Sequence, residues 1–278
     1  MWMQFFTVCD WLCNLIPGRA RRERTRATKL YDWRKKYNAL RAAFPDMPFK
    51  HVKMIKGGWN IGFIVDRKYV FKIRKFFDEK MTPERVLREK RITDAFANIS
   101  PLRIPKIEII DTDGFTFYKY DFIPGKNLTT FSQRVINQNT WKWGRQIAEF
   151  INAVHNAHPT EIDDLRVSDG DGWNHNDICN NLIVDPKTMD IVGLIDWEYA
   201  NWDVLDKEFR NTIRFSKKMQ RSEINIAIQL SYYVMNKRNC PQCAPCDAAD
   251  ASDKKKPAAD KAATEKRTPK KRVTKKSA

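Results

Sequence analysis

The sequence predicts an α+β fold of two lobes, in which a small antiparallel sheet is followed by a mainly helical region. Three strand-like runs, at residues 51–56, 60–65 and 69–74, are separated by short glycine-rich or charged turns, which is typical of an antiparallel meander. Strand-like sequence gives way to helix-dominated sequence after Pro124 and Gly125, and this change marks the boundary between the lobes. With 278 residues and 42% hydrophobic content, the chain can bury one large core or two modest ones.

Apolar periodicity predicts the other elements. Apolar residues recur at three- and four-residue spacing in residues 30–44 and 141–155, which indicates two amphipathic helices. A third helix is predicted over residues 82–98, because a proline near its start suits the first helical position. Two further strands, at residues 104–110 and 115–121, are joined by a polar turn.

The formal net charge of +17 is concentrated in two segments. Residues 19–41 hold ten Arg and Lys against two acids, and residues 247–278 hold eleven against five. The rest of the chain is close to neutral, so the basic composition describes the flanking segments and not the body. The tail from about residue 247 has almost no large apolar group and is predicted to be disordered. We expect no nucleic-acid partner.

The first 26 residues predict a contact with an anionic membrane surface. Residues 1–16 are apolar and aromatic, but they are shorter than the roughly 20 residues that span a bilayer. An arginine cluster follows at residues 19–26, and an apolar, Trp-containing segment beside cations is typical of an interfacial element. The alternative is a helix that packs on the folded body. Because the segment lacks a secretory pattern, we expect a cytoplasmic protein, peripheral on the inner face of the membrane if this segment binds lipid.

The six cysteines predict no disulfide framework, because thiols stay reduced in the cytoplasm. Cys240, Cys243 and Cys246 form a C-x-x-C-x-x-C run. No fourth cysteine follows, and the flanking Pro and Ala are not typical of a packed metal site. The function of this run is not predicted.

The segment from His175 to Val184 and the segment from Ile191 to Glu198 carry the chemistry. They read as a polar loop, a strand, a turn and a second strand that ends in a carboxylate. Such a hairpin brings Asp177 and Asp196 to the same end, with Asn180 or Asn181 between them. Carboxylate and amide oxygens are the ligands that Mg²⁺ prefers, and phosphoryl transfer needs a carboxylate beside the accepting hydroxyl together with metal near the phosphates.

His175-Asn176-Asp177, followed by Asn and then by Ile195-Asp196-Trp197-Glu198, resembles the catalytic and metal-binding motifs of choline and ethanolamine kinases and aminoglycoside phosphotransferases. The resemblance implies a protein-kinase-like fold and a reaction that uses ATP and Mg²⁺. It covers roughly half of the chain. Other features stand in the same order: a nucleotide loop at Gly57-Gly58-x-Asn60, a phosphate-binding strand at Val70-Phe71-Lys72-Ile73, a helix glutamate at Glu89, and a hinge at Tyr120-Asp121-Phe122-Ile123-Pro124-Gly125.

The resemblance also implies a function for each matching residue. Asp177 is the catalytic base or orients the acceptor hydroxyl, and Asp196 is the principal Mg²⁺ ligand. Lys72 holds the α and β phosphates, and Glu89 fixes that lysine by an ion pair. His175 is expected to shape the loop more than to transfer protons. Nucleotide contacts are implied for Gly57, Gly58, Asn60, Tyr120 and Phe122.

Two departures from the family pattern limit what is carried over. Family members usually place the metal-binding Asn five residues after the catalytic Asp, whereas here Asn180 follows at three and Asn181 at four. We assign the ligand to Asn181, because residues 182–184 then form the next strand. The second departure lies after Glu198, where the expected residues are absent, so no acceptor contacts are transferred.

The acceptor is predicted only by class. Residues 203–236 must form much of its pocket, and aromatic faces suit a quaternary ammonium such as choline. The aromatic residues considered are Trp173, Trp202, Tyr232 and Tyr233, for which a place in the core is the plainer interpretation. An amino alcohol of the choline and ethanolamine type is therefore the first acceptor, and a cell-envelope sugar or lipopolysaccharide precursor is the second. A catalytically dead, kinase-like binding protein is the competing hypothesis.

Four regions are expected along the chain. Residues 1–48 form the apolar and basic extension, and residues 49–122 form the nucleotide lobe. Residues 123–240 form the catalytic and acceptor lobe, and residues 241–278 form the disordered basic tail. The sequence predicts no oligomeric state.

Overall fold

A computed structural model of the chain describes residues 8, 11–18, 32–56, 60–74, 83–112, 115–167, 169–214 and 216–238. Residues Met1–Val234 form one compact unit. Residues Met235–Ala278 form a second, of which only residues 235–238 are described. Most of the first 26 residues, the cysteine run and the basic tail therefore lie outside the described residues. Within the described part of the chain, no helix is both long enough and apolar enough to cross a membrane.

The first lobe is a five-stranded antiparallel sheet. Its strands are β1 (Val52–Lys56), β2 (Asn60–Val65), β3 (Tyr69–Arg74), β4 (Glu108–Thr112) and β5 (Phe115–Asp121), and they lie in the order β1-β2-β3-β5-β4. The register places Lys72 of β3 opposite Gly62 of β2 and opposite Tyr118 of β5. Lys72 therefore lies on an interior strand.

One side of this sheet packs against helix α1 (Asp32–Ala43). Tyr37 and Leu40 of the helix are buried against Phe63 and Phe71 of the sheet. The ring centroids of Tyr37 and Phe63 lie 5.9 Å apart. Burying side chains of this size stabilises by about 1.5–3 kcal/mol each, so α1 belongs to the core of the first lobe.

The second lobe is built on helices, with two small sheets near their ends. The 23-residue helix α3 (Gln133–His155) is capped by Ser132, whose side chain accepts from the Val135 N–H. The short strands form one three-stranded and one two-stranded sheet. Helix α2 (Pro83–Phe96) belongs to the first lobe, where its Val86 packs with Tyr118 of the sheet. The other helices of the second lobe are α4 (Ile178–Asn181), α5 (Leu205–Arg214), α6 (Lys217–Gln220) and α7 (Ile224–Arg238), and the short strands are β6 (Lys126–Asn127), β7 (Gly172–Asn174), β8 (Leu182–Val184), β9 (Ile191–Leu194) and β10 (Asn201–Asp203).

Trp197 joins the two lobes. Its fully buried ring stacks on Phe96 of α2, with 5.7 Å between centroids and 21° between planes. It also meets Phe150 of α3 edge-on at 5.8 Å and His175 at 4.9 Å. Because Trp197 directly follows Asp196, this packing fixes the backbone that carries the carboxylate.

The two-lobed α+β fold is confirmed, and two element boundaries were wrong. Strand β4 begins at Glu108 and not at residue 104, because Pro105 has no N–H for a ladder and Arg103 instead bridges to Gly193. Helix α3 begins at Gln133 and not at residue 141, since the Ser132 cap starts it within polar sequence that shows little apolar periodicity.

Candidate active site

Asp177 lies at the start of helix α4, a single turn that leads directly into strand β8. Its carboxylate accepts from Asn180 Nδ2 at 2.7 Å and from Asn181 Nδ2 at 3.0 Å. Burial raises the pKa of Asp177 to about 6, and the nearby charges of Asp196 and Glu198 act in the same direction, while the two amides oppose them. A carboxyl with this pKa is ionised at neutral pH and is basic enough to accept a proton from a hydroxyl.

Helix α4 accommodates the short spacing between Asp177 and its two asparagines. At three and four residues along one helical turn, both side chains return to the first residue. Asn181 Nδ2 also donates to the Asp177 carbonyl at 2.9 Å, so the amide nitrogen of Asn181 is fully engaged and its oxygen is left as the group for a ligand. The Ile195 N–H donates to the Asn181 carbonyl at 3.1 Å and ties this turn to the chain just before Asp196.

His175 is buried and positions the loop. Its Nδ1 accepts from the Asp177 N–H at 3.2 Å, so Nε2 carries the proton and donates to the Ile195 carbonyl at 3.3 Å. Burial lowers the pKa of His175 to about 4, which keeps the ring neutral at physiological pH. With both ring nitrogens engaged by backbone groups, His175 links the segment that carries Asp177 to the segment that carries Asp196 and is not placed to shuttle protons.

A buried carboxylate that sequence reasoning missed, Glu208 on helix α5, holds the backbone at His175 and Asn176. It accepts from the N–H of His175, from the N–H of Asn176 at 3.1 Å and from the Thr212 hydroxyl at 3.2 Å. Its residue is 2% exposed, and burial raises the pKa of Glu208 to about 7 despite these donors. The sequence does carry one signal of this buried carboxylate, which is a glutamate and a threonine four residues apart on the inner face of an amphipathic helix.

The structure brings Lys72, Asp196 and Glu89 together. The resemblance implied the pair of Lys72 with Glu89, and the contact of Lys72 with Asp196 is an addition from the structure. Lys72 Nζ lies 2.6 Å from Asp196 Oδ1 and 3.8 Å from Glu89 Oε1. Burial disfavours the charged lysine, but Asp196, Glu89 and Tyr120 outweigh it and raise the pKa of Lys72 well above its usual range. The ammonium is therefore a permanent charge at the junction of β3, α2 and the chain after β9.

Glu89 has spare hydrogen-bonding capacity. Its Oε1 accepts from the Trp197 N–H at 3.1 Å, whereas its buried Oε2 has no hydrogen-bond partner among the described residues. Burial raises the pKa of Glu89, and the charge of Lys72 opposes the shift. An unsatisfied buried carboxylate oxygen costs about 1–3 kcal/mol. Because Lys72 Nζ already lies 3.8 Å from Oε1 of the same carboxylate, Glu89 offers Lys72 a second acceptor besides Asp196.

The other predicted nucleotide residues are less constrained by the structure. Gly57 and Gly58 lie outside the described residues. Asn60, the first residue of β2, pairs with Arg74, the last residue of β3, and Tyr120 is buried in β5. The Phe122 N–H donates to the Lys68 carbonyl at 2.7 Å, so the sheet already uses the hinge donor of Phe122.

Two of the aromatic residues considered for the acceptor are part of the core. Trp173 and Trp202 pair across strands β7 and β10, and they are 1% and 8% exposed. The Arg166 guanidinium covers Trp202 at 4.0 Å from the ring centroid. Tyr232 packs against Phe209 at 5.5 Å, so these rings form no open aromatic cage.

Comparison with solved structures identifies the fold. The GDP and kanamycin complex of APH(2")-IIia matches with a TM-score of 0.60 at 14% identity, over 71% of this chain and 82% of that chain. Macrolide 2'-phosphotransferase type I matches with a TM-score of 0.50 at 13% identity, over 72% and 81% of the two chains. The chain has the two-lobed, kinase-like fold of the aminoglycoside phosphotransferases. No family model and no curated protein matches the sequence.

The residues present fit a magnesium ion that arrives with a nucleotide. Asp196 offers a carboxylate that is 31% exposed, and Asn181 offers an amide oxygen. Among the described residues, no group of three or more His, Cys, Asp or Glu side chains could hold a metal without other ligands. Mg²⁺ commonly takes one or two protein oxygens together with phosphate oxygens and water, so two protein ligands suffice when a nucleotide supplies others.

Replacing Asn180 with Ala should move the acid limb of activity to higher pH. Asp177 must be ionised to accept a proton, so ATP consumption by the wild type should fall about tenfold between its plateau and pH 5. The Asn180 amide lowers the pKa of Asp177, and its removal leaves the carboxyl protonated at higher pH. The pH–rate profile measures this shift. Asn38→Ala, an exposed change on α1, is the control, and an unshifted profile for Asn180→Ala would contradict the assignment.

Replacing Glu208 with Gln should lower kcat more than it changes KM for MgATP. The variant keeps the size of the side chain but turns an amide N–H toward the N–H groups of His175 and Asn176. Misplacing a catalytic loop by about 1 Å can cost about a hundredfold in rate. Thr212→Val removes only the hydroxyl donor to Glu208 and should have a smaller effect. Equal losses in kcat and in the affinity for MgATP would point to general unfolding instead.

Proposed function

We propose that this protein is an ATP-dependent kinase that transfers the γ-phosphate to a hydroxyl of a small molecule. The observation that carries the proposal is the convergence of Lys72, Glu89 and Asp196 where β3, α2 and the chain after β9 meet, near an Asp177 whose pKa is raised to about 6. A buried lysine held between two carboxylates has little structural purpose that an apolar side chain would not serve better. Phosphate binding accounts for retaining it.

Each residue then has a defined task. Asp177 orients the acceptor hydroxyl and takes its proton, with its carboxylate held in place by Asn180 and Asn181. When a nucleotide binds, Lys72 exchanges part of its contact with Asp196 for phosphate oxygens. The Oε2 of Glu89, which has no hydrogen-bond partner among the described residues, then helps to balance the charge of Lys72. Asp196 and Asn181 would hold Mg²⁺, which supplies neutralisation of phosphate charge when bound. The adenine base binds hinge groups other than the Phe122 N–H, because that N–H already donates to the Lys68 carbonyl.

The acceptor is proposed as a small polyhydroxy or amino-alcohol compound. An amino alcohol of the choline type remains the first acceptor by resemblance, but Trp173 and Trp202 do not supply the aromatic cage that it would require. Solved structures of the same fold include complexes with kanamycin and GDP, and the fold also occurs in a macrolide 2'-phosphotransferase. These similarities support a hydroxyl-bearing small molecule as the class of acceptor.

A cell-envelope sugar is the second acceptor, and an exposed apolar stripe favours it. Val8, Trp11, Leu12 and Leu15 recur at helical spacing and are 53%, 61%, 47% and 66% exposed. The arginine cluster at residues 19–26 follows in the sequence. We propose that this stripe lies in the interface of an anionic membrane, where a surface glycan or its lipid-linked precursor is made.

The kinase proposal is tested with Asp177→Asn. We expect ATP consumption with Mg²⁺ to be stimulated by one member of a panel of choline, ethanolamine, hexoses, heptoses and aminoglycosides. The variant should lose this stimulation by at least a thousandfold while it still binds MgATP, because Asp177 acts on the hydroxyl and not on the nucleotide. Absence of both turnover and MgATP binding would favour the catalytically dead, kinase-like binding protein.

The membrane proposal is tested by co-sedimentation of the full chain with vesicles. Trp11→Ser combined with Leu15→Ser should reduce partitioning onto phosphatidylglycerol-containing vesicles roughly tenfold or more, because two apolar side chains leave the interface. Leu230→Ser combined with Tyr233→Ser removes another pair of large exposed apolar side chains, on helix α7, and is the matched control. Equal partitioning of both double variants would refute the proposal, and a vesicle-independent change of mass would assign the stripe to self-association.

A further inference from the structure

A cleft of about 470 Å³ lies between the first two turns of helix α2 and the chain that follows Asp196. It is lined by Glu84, Arg85 and Arg88 of the helix and by residues 198–201 of the chain, and we call it the α2 cleft. No residue of the hinge lines it, so the α2 cleft is separate from the region assigned to the nucleotide base.

The α2 cleft adjoins the candidate catalytic carboxylate. The side-chain amide of Asn176 donates to the Tyr199 carbonyl at 3.2 Å and to the Asn201 side chain, and both acceptors belong to residues that line the cleft. Asn176 directly precedes Asp177, and consecutive Cα atoms lie about 3.8 Å apart. Burial is the main cause of the raised pKa of Asp177, and the charge of Glu198, which also lines the cleft, adds to it. A single residue of the catalytic loop therefore separates the cleft from Asp177.

The α2 cleft also adjoins the residues assigned to the nucleotide phosphates. Arg88 directly precedes Glu89 on α2, and Glu89 Oε1 lies 3.8 Å from Lys72 Nζ. The same oxygen accepts from the Trp197 N–H at 3.1 Å, one residue before the chain enters the cleft. A ligand in the α2 cleft would thus lie beside the phosphate-binding charges and beside the carboxylate that accepts the hydroxyl proton.

The polar groups of the α2 cleft combine hydrogen-bond donors with acceptors around an aromatic ring. The Arg85 guanidinium lies over the ring of Tyr199, 5.3 Å from its centroid, and Tyr199 is 43% exposed. Arg88 Nη1 donates to the Ala200 carbonyl at 2.7 Å, and the exposed Glu84 contributes acceptor oxygens. Hydroxyl groups both donate and accept, so a hydroxyl-rich ring can use guanidinium and carboxylate groups together. The less polar face of such a ring can pack against an aromatic side chain.

The charge of Arg88 disfavours a cationic ligand in the α2 cleft. Arg88 is half-buried, and no carboxylate among the described residues forms an ion pair with it. Burial and the nearby charge of Arg85 lower the pKa of Arg88. Glu198 is only 5% exposed, so it presents little of its charge to the cleft. Because like charges repel more strongly where water is partly excluded, a quaternary ammonium between two guanidinium groups would be unfavourable.

We propose that the α2 cleft binds a sugar ring of the acceptor, with Arg85, Arg88 and Glu84 at its hydroxyls and Tyr199 against its less polar face. The inference rests on the proposed kinase function and narrows the acceptor to a neutral or acidic sugar, in place of a choline-type cation. In the transfer step, the acceptor oxygen bonds to the γ-phosphorus, and the bond from that phosphorus to the bridging oxygen of the departing ADP breaks. The hydroxyl proton goes to Asp177.

Direct binding to the full chain, measured by saturation-transfer NMR, is the first test. The probes are mannose, a heptose, glucuronic acid and choline. The cleft variant combines Arg85→Gln with Tyr199→Ser, and its matched control combines Arg134→Gln with Trp141→Ser, which removes an exposed arginine and an exposed aromatic ring from helix α3. We expect at least one sugar to bind, roughly tenfold or more weakly in the cleft variant alone, and choline not to bind. An unchanged midpoint of thermal unfolding shows that both double variants are folded.

The second test is ATP consumption stimulated by the sugar that binds. The cleft variant should raise the KM for that sugar roughly tenfold or more, whereas its KM for MgATP should stay within about twofold of the wild-type value. Sugar binding that survives in the cleft variant, absence of binding by every sugar, or stimulation by choline would overturn the inference. A rise confined to the KM for MgATP would also overturn it, because the arginines would then serve the nucleotide phosphates. Cleft-dependent sugar binding without any turnover would instead refute the kinase proposal and leave the sugar site standing.

Discussion

The buried ammonium of Lys72 is the interaction on which the arrangement of the site depends. It comes from an interior strand of the first lobe, while its partners Glu89 and Asp196 come from helix α2 and from the chain after strand β9. A charge in this environment must be compensated, since an unpaired buried ion costs several kcal/mol. The two lobes are therefore held in a relation that keeps both carboxylates within reach of one lysine. Trp197, packed between Phe96 and Phe150, holds the same junction by apolar contact.

A second buried carboxyl group, that of Glu208, holds the backbone that precedes Asp177. Glu208 gathers two successive backbone N–H groups and one hydroxyl, so the peptide before Asp177 is held by helix α5 and not by solvent. His175 links the same peptide to the Ile195 carbonyl. The Asp177 carboxylate, which we propose as the reacting group, thus stands on a backbone that hydrogen bonds within the protein already hold in place. Enzymes gain rate from such preorganisation because little has to be rearranged during the reaction.

The sequence could predict the fold and the pairing of charges, because those depend on patterns of residue type along short segments. Alternation and turn residues indicated the sheet, and a strand-turn-strand segment placed Asp177 and Asp196 at one end. The spacing before strand β8 assigned the metal ligand to Asn181, but it could not show the single helical turn in which the amides of both Asn180 and Asn181 reach Asp177. Glu208 was missed for a related reason. Its partners are backbone N–H groups more than 30 residues away. Because almost every residue type has a backbone N–H, the sequence does not show which of them a distant carboxylate contacts.

The backbone of the catalytic loop also restricts which residues it can contain. Asn176 and Asp196 both adopt left-handed conformations, with φ of 68° and 67°. Most side chains reach this region only at a cost of about 1–2 kcal/mol, and β-branched residues at more, whereas Asn, Asp and Gly occupy it readily. The Asn between His175 and Asp177 is thus selected by sterics as well as by its bonds to Asn201 and Asn211. A search for distant proteins with this loop should accept Asn, Asp or Gly at that position, and should not treat the middle letter of the motif as a mark of substrate.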